Sequence, residues 1–502
     1  MASAPSFRDT ESHGRGALPL VVAGLLLVLG AALVARAELG LWMSNHHAHV
    51  IDKALLALDR GRIEIVGFVY PPLPLLLLLP MPSTILAGLL AATCGAATVW
   101  ILTRTLLRAS LPRPVAVALV LALASPSMFF LFTQSLWEAL LLLLLLVGWN
   151  QSIEFIARGN VRAGAIAGLT LGLAFLANYY ALLFALPFGL AALLFVRTDR
   201  RGAGPAAAFM LLFPVIAALL SWMYLSWVFT ADPWSFTRDQ SSSMFAFLRA
   251  DGADLPRDWS SALSATARDL RMSPLYVVMA IVVAWYRPLR LPVMLVFGVF
   301  VLGLRALGFV LPDYFAAVGF TMVALAATPA ALPRHLLPLL VLAAVAQLGI
   351  GWVTPLRGEA AAWQSVVSAG VARPADQEEL GVGQLLAGRP PRSVLIDDRT
   401  DYRVIARAGT ARPFVTSVDP LYGLAMSQPA RFVPSMLART TGWAHADQPG
   451  LAPAIGQPGM RLTRLSPRWS LYEWRRDETA LRGGDETARR DAGETALQDG
   501  LR

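Results

Sequence analysis

Residues 84–132 read TILAGLLAATCGAATVWILTRTLLRASLPRPVAVALVLALASPSMFFLF. Two apolar runs, Thr84–Leu107 and Val115–Phe132, meet at a junction carrying Arg104, Arg108 and Arg113. The hydrocarbon core of a bilayer is about 30 Å thick and needs roughly 20 apolar residues per helical crossing. Each run approaches that length, so the stretch predicts two membrane-spanning helices joined by a basic loop.

The same unit recurs in both directions. Ala17–Ala35 precedes it. Leu136–Val147, Ala163–Ala177, Ala181–Phe195, Ala206–Phe229, Pro274–Ala284, Pro292–Leu304, Phe315–Ala327 and Leu336–Val353 follow. About eleven spans are predicted, an all-α polytopic membrane protein across residues 17–355. Basic residues fall on alternate loops: Arg158 and Arg162, then Arg197, Arg200 and Arg201, then Arg287 and Arg290, then Arg334 with His335. Cytoplasmic loops collect Lys and Arg. The N-terminal 1–16 segment, with Arg8 and Arg15, is therefore expected in the cytoplasm of a bacterium, the spans in its plasma (inner) membrane, and residues after Gly351 outside. Ala17–Ala35 is longer than a signal-peptide core and is read as retained.

Composition narrows the function. With 56% hydrophobic and 15% charged residues, the chain has only modest soluble parts, and its net charge of +9 is spread over loops. Topology and anionic headgroups account for that charge, and nucleic acid is not an expected partner. The single cysteine, Cys94, allows neither a disulfide nor a cysteine metal site.

The predicted outer face carries the extramembrane mass: loops 36–72 and 231–273, and a C-terminal domain over 356–474. Ser393–Ile396 and Pro413–Thr416 read as strands, Asp401–Ala408 and Pro420–Ser427 as helices, and Arg461–Trp474 as a hairpin. A small extracytoplasmic α/β domain from about Pro374 to Glu473 is expected. Residues 475–502 repeat Asp-Glu-Thr-Ala at a period of eight and lack the apolar residues of a core, which predicts disorder.

The first outer loop holds the chemistry. Val50, Ile51, Ala54, Leu55 and Leu58 recur at helical spacing, which predicts an amphipathic helix on the membrane surface. His49, Asp52 and Lys53 fall on its other face, and His46, His47 and His49 are half of the chain's six histidines. His46, His49 and Asp52 could hold Zn²⁺ or Mn²⁺, or form a polar cluster at the interface. A divalent cation is the one cofactor these residues suggest. Tyr70-Pro71-Pro72 closes the loop.

Asp52 through Gly61 to Tyr70-Pro71-Pro72, with Leu311-Pro312-Asp313-Tyr314 entering a late span, resembles the GT-C superfamily of glycosyltransferases that use polyprenyl-phosphate sugars. Within it the chain is most similar to the bacterial protein mannosyltransferase and lipid A aminoarabinose transferase group. The resemblance implies a sugar moved from a polyprenyl-phosphate donor to an acceptor hydroxyl on the outer face. It departs at one place. Where relatives carry an acidic residue or pair, about fifteen positions before the Gly matching Gly61, this chain has His46 and His47. Either Asp52 is the catalytic acid, a histidine (His46, His47 or His49) does the proton work, or the activity differs.

Transfer needs a base near the hydroxyl and cations for the departing phosphate. The candidate cations are Lys53, the only lysine among 42 basic residues, with Arg60, Arg238, Arg249 and Arg305. The expected partners are the donor lipid, membrane lipids and a hydroxyl acceptor. A transporter or flippase of a lipid-linked saccharide, or a non-catalytic partner in polysaccharide assembly, are the competing readings. The span centres, almost free of charge, weigh against transport.

Overall fold

The computed structural model describes residues 17–62, 71–195, 203–238, 259–286, 291–307, 311–329, 332–439 and 460–474. The tail repeat, Tyr70 and Arg249 lie outside them. The chain forms two compact units: Met1–Leu58 with Val66–Asp376, and Asp59–Ile65 with Gln377–Arg502.

The first unit is helical. Its elements are α1 (Ala17–Leu39), α2 (Asn45–Arg60), α3 (Pro72–Leu78), α4 (Thr84–Arg108), α5 (Arg113–Leu121), α6 (Pro126–Gln134), α7 (Leu136–Arg158), α8 (Val161–Ala177) and α9 (Ala181–Phe195). They continue as α10 (Ala203–Thr230), the short α11 (Ser235–Arg238), α12 (Trp259–Arg271), α13 (Pro274–Tyr286), α14 (Leu291–Ala306), α15 (Asp313–Ala326), α16 (Leu337–Val353) and α17 (Gly358–Ala369). Among the described residues, five helices are long and apolar enough to cross a membrane: α1, α4, the Leu136–Ile156 part of α7, α10 and Arg334–Val353. Two helix pairs reach that length and apolarity only together, α5 with α6 bent by 75° and α12 with α13 bent by 92°, the form of a broken span or a re-entrant loop. Four shorter apolar helices, α8, α9, α14 and α15, complete the set. Ten of the predicted segments are helical and the eleventh, Val115–Phe132, is two helices broken between Leu121 and Pro126; the chain is a multi-pass membrane protein.

Local sequence explains the bends. Ser125 caps α6, its hydroxyl accepting from the Met128 amide at 3.4 Å, and Pro126 occupies the first helical turn. Pro274 likewise opens α13 just past the end of α12, where proline's missing donor is harmless. The outward surfaces are apolar. The apolar window of α1 is only 22% buried, and Leu20, Leu25 and Val28 are exposed. Lipid is the solvent that suits such a surface.

Interior contacts rely on small residues. Gly164, Gly168 and Gly172 line one side of α8, where α10 crosses. A Cβ at Gly168 would stand 2.4 Å from the Met210 carbonyl oxygen, so only glycine admits this approach. Buried Gln347 of α16 receives the Leu275 amide of α13 at 3.2 Å and donates to the Thr321 hydroxyl of α15. Its amide thereby ties α13 and α15 to α16.

The second unit contains a five-stranded sheet of order β2-β1-β3-β5-β4. The strands are β1 (Val394–Leu395), β2 (Phe414–Val415), β3 (Ser435–Arg439), β4 (Met460–Arg464) and β5 (Trp469–Trp474). β1 lies parallel to both β2 and β3, and β5 runs antiparallel between β3 and β4. Pro374–Ala387 (α18), Asp398–Ala408 (α19), Tyr422–Ser427 (α20) and Pro429–Phe432 (α21) are its helices. Leu395, Val415, Ala425, Val433, Met436, Ala438 and Trp474 form the core.

Two differences from the sequence reading stand out. The expected boundary at residue 356 shifts, because Ala360, Trp363 and Val366 of α17 pack on Ala37, Trp42 and Phe130 of the helical unit. Strand β3 was not anticipated; its first four residues are all buried, so it lacks the alternation that marks a half-exposed strand.

Candidate functional site

Ser44 sets the start of α2. Its hydroxyl donates to the Gln134 carbonyl at 2.6 Å and accepts from the His47 amide at 3.0 Å, an N-cap arrangement. The helix differs from the surface helix expected. Ten of its sixteen residues are buried, including the supposedly polar-facing Asp52 and Lys53, whereas the apolar Leu58 is exposed. Protein surrounds it, so both its faces are covered.

His46 is the centre of a polar cluster. Its Nδ1 lies 3.8 Å from Glu138 Oε2, and its Nε2 lies 4.0 Å from Glu359 Oε2. The Tyr314 hydroxyl is 3.2 Å from the same Nε2. The Trp137 ring meets the imidazole edge-on at 5.2 Å. The backbone amide of Asn45 donates to Glu359 Oε1. Glu138 is 2% exposed, His46 13% and Glu359 20%, so the ring sits between a sealed carboxylate and a reachable one.

All four residues belong to the first turns of their helices: His46 in α2, Glu138 in α7, Tyr314 in α15 and Glu359 in α17. Helix N-termini carry partial positive charge and unsatisfied N–H groups. Two carboxylates there are favourably placed, and the convergence suits further negative charge. Hydrophobic packing holds the arrangement. Phe130 touches Tyr314 and Trp363 at ring separations of 4.9 and 5.6 Å, and Trp363 anchors the helix that begins with Glu359.

Burial pushes the His46 imidazole down to about 4 and His47 to about 3, the latter helped by neighbouring His46. Both rings are therefore neutral at pH 7, and burial alone makes each a weaker proton acceptor than a free imidazole. His47 Nε2 is buried without a hydrogen-bond partner among the described residues. Asp52 Oδ2 and Lys53 Nζ form an ion pair at 3.2 Å, 0% and 4% exposed.

The remaining candidates are scattered among other partners. Arg305 is buried against Asp269 Oδ2 at 2.6 Å and donates to Thr266 Oγ1 at 3.4 Å. Arg60 belongs to the second unit, where it grips Asp419 and the Phe414 carbonyl oxygen. Arg238 ends α11, while Arg249 and Tyr70 lie outside the described residues. Pro71 is buried and caps the short α3, which Pro72 begins. Among the described residues no group of three or more His, Cys, Asp or Glu is arranged to hold a metal ion, so His46, His49 and Asp52 are not gathered as ligands.

Sequence reasoning missed Glu359 and did not give Glu138 or Tyr314 a role in proton transfer. The one legible signal was Glu138, a carboxylate opening a 23-residue helix that is otherwise almost wholly apolar over its first half.

This architecture defines a class: a multi-pass helical membrane protein with the GT-C fold and a small sheet-containing unit. Among solved structures, the chain is similar to ArnT from Cupriavidus metallidurans bound to undecaprenyl phosphate, with TM-score 0.53 and 14% identity over 92% of this chain and 98% of that one. The apo state of the same ArnT matches with TM-score 0.51 at the same identity and coverage. ArnT is the lipid A aminoarabinose transferase, a GT-C glycosyltransferase. No family model matches the sequence, and no curated protein matches it.

Proposed function

We propose that this chain is a membrane glycosyltransferase that moves a sugar from a polyprenyl-phosphate donor to an acceptor hydroxyl at the outer face of a bacterial plasma membrane. The fold it shares with ArnT bound to undecaprenyl phosphate supports the reaction class. The observation that carries the mechanism is the His46 imidazole set between Glu138, Glu359 and the Tyr314 hydroxyl.

His46 is the general base in this reading. Nδ1 keeps its proton and points it toward Glu138, while Nε2 takes the proton of the acceptor hydroxyl. The acceptor oxygen attacks the anomeric carbon, the bond from that carbon to the phosphate oxygen breaks, and the polyprenyl phosphate leaves with the electron pair. Glu138 then stabilises the imidazolium, as an orienting carboxylate does for a catalytic histidine. Lys53, steadied by Asp52, is assigned to the leaving phosphate. Histidine in place of the acid expected near this position means that a neutral base replaces an anionic one.

The test is turnover with a panel of labelled undecaprenyl-phosphate pentoses and hexoses. His46→Gln should lower kcat by about 10²–10⁴, the usual share of general-base catalysis, with donor binding retained. Wild-type turnover in that variant removes His46 from the mechanism. Absence of transfer by the wild-type protein with every donor, while donor lipid still binds, would count for a non-catalytic role.

A further inference from the structure

Helix α12 reads WSSALSATARDLR and is too polar to cross a bilayer, yet it meets the apolar α13 at an angle of 92°. With α13 standing in the apolar layer, α12 runs along the edge of that layer. Three groups of side chains divide its circumference. At about 100° per residue, Ala262, Thr266 and Asp269 share one face, buried where α12 packs on α14 and α15. Asp269 Oδ2 takes Arg305 Nη2, in the last turn of α14, at 2.6 Å, and Arg305 Nη1 donates to Thr266 Oγ1 at 3.4 Å. These contacts hold α12 at the level where the apolar run of α14 ends.

The other two faces differ in character. Trp259, Leu263 and Leu270 fall within about 40° of one another. Trp259 is 65% and Leu263 54% exposed, while Leu270 is half-buried. Beyond them Ser264, Arg268 and Arg271 are exposed, and among the described residues neither arginine is ion-paired. The Asp269–Arg305 pair is neutral as a unit, so the exposed charge of α12 is that of its two arginines. An apolar flank beside a cationic one, at an apolar boundary, suits the junction of acyl chains and headgroups. Tryptophan fits that depth, with an apolar ring and one polar N–H.

We propose that the exposed side of α12 is a contact site for anionic phospholipid: Trp259 and Leu263 enter the acyl layer, and the Arg268 and Arg271 guanidiniums hold the headgroup phosphate. Charge selects the lipid class. Guanidinium forks match phosphate oxygens in geometry. A zwitterionic headgroup brings its own ammonium, which offsets the attraction, whereas a net anionic one keeps it in full. The buried ion pair to Arg305 fixes the helix, so the site is preformed rather than assembled by the lipid. The proposal depends neither on the glycosyl-transfer reading nor on which leaflet α12 meets.

The test uses full-length protein in nanodiscs of equimolar phosphatidylglycerol and phosphatidylcholine with a trace of undecaprenyl phosphate. Cys94→Ala removes the native thiol, and Leu263→Cys carries a benzophenone that crosslinks whatever lies against this face on illumination. Mass spectrometry of the adduct then identifies the occupant. Phosphatidylglycerol is expected over phosphatidylcholine by at least about fivefold, the share of one arginine at an anionic surface. The double variant Arg268→Gln/Arg271→Gln should bring that ratio toward one. Ser264→Glu, which places an anion beside both arginines, should lower it too and serves if the double variant does not fold. The proposal is overturned if no phospholipid adduct forms, if both phospholipids react equally, or if undecaprenyl phosphate replaces them. It is equally overturned if the ratio is unchanged in the double variant, or, should that variant not fold, in Ser264→Glu.

Discussion

His46 and Asp52 lie six positions apart on one helix, and their surroundings give them different work. His46 keeps partial exposure and oxygen neighbours; Asp52 is sealed against the Lys53 ammonium. Removing one member of a buried ion pair costs about 3–5 kcal/mol, because the other charge is stranded. Asp52→Asn should therefore lower the melting temperature of the purified protein, whereas His46→Gln should slow turnover at an unchanged melting temperature. Reversal of that pattern would return the base assignment to Asp52. The sequence exposed the histidines through their offset from Gly61 but hid Glu359, which lies 314 residues along the chain from Asn45, its backbone donor. No local spacing encodes a contact of that separation.

Asp401 allows a second test at this scale. It is fully buried after β1 in a non-helical turn within α19 (φ −113°, ψ 16°), with Arg439 Nε at 2.9 Å. Burial pushes its carboxyl up to about 7; Arg439 pulls the other way and Asp397 adds to the rise. The folded state thus holds this proton more tightly than the unfolded chain, whose aspartate titrates near ~3.9. The resulting stability is complete below ~4 and is lost as pH rises toward 7. Hydrogen-exchange protection of β3 amides, corrected for intrinsic rates, should fall across that interval in the wild-type protein, and Asp401→Asn should flatten the slope. An unchanged slope in the variant would assign the pH dependence to another group.

At the scale of elements, hydropathy alone located the eleven apolar segments, since lipid-facing helices need no precise partner to be recognised. Their crossings were less legible. Nothing in Gly164, Gly168 and Gly172 as isolated residues says that α10 will pass there; the four-residue spacing is the only hint, and many such spacings face lipid. Gly168→Ala should expose the difference, because its Cβ meets backbone at 2.4 Å and backbone cannot move as a side-chain tip can. Overpacking of this kind costs about 1–3 kcal/mol. The melting temperature should drop, while alanine at Gly303, where a Cβ meets nothing within 4 Å, should leave it unchanged. The small sheet was partly legible for the opposite reason: β4 and β5 form a hairpin of neighbouring residues, but β3 pairs with β1 from across the domain.

For the whole molecule, the decisive physical quantity is the side of the membrane on which each loop lies. Arg104, Arg108 and Arg113 flank the junction of α4 and α5, and Arg158 and Arg162 flank that of α7 and α8. Each such residue favours the cytoplasmic side, because translocating a charged loop is costly and the inner leaflet is anionic. The α2 site lies one crossing away from the first of these junctions in the chain, so the proposed transfer reaction requires that α2 face outward. A reporter active only in the cytoplasm should work when inserted after Ser110 and stay silent when inserted after Gly61 or fused after Trp474. An oxidation-dependent reporter should give the reverse pattern. Cytoplasmic activity after Gly61 would place His46 on the wrong side for an outer-face acceptor, and the glycosyl-transfer proposal in its present form would fail even though the GT-C fold would stand.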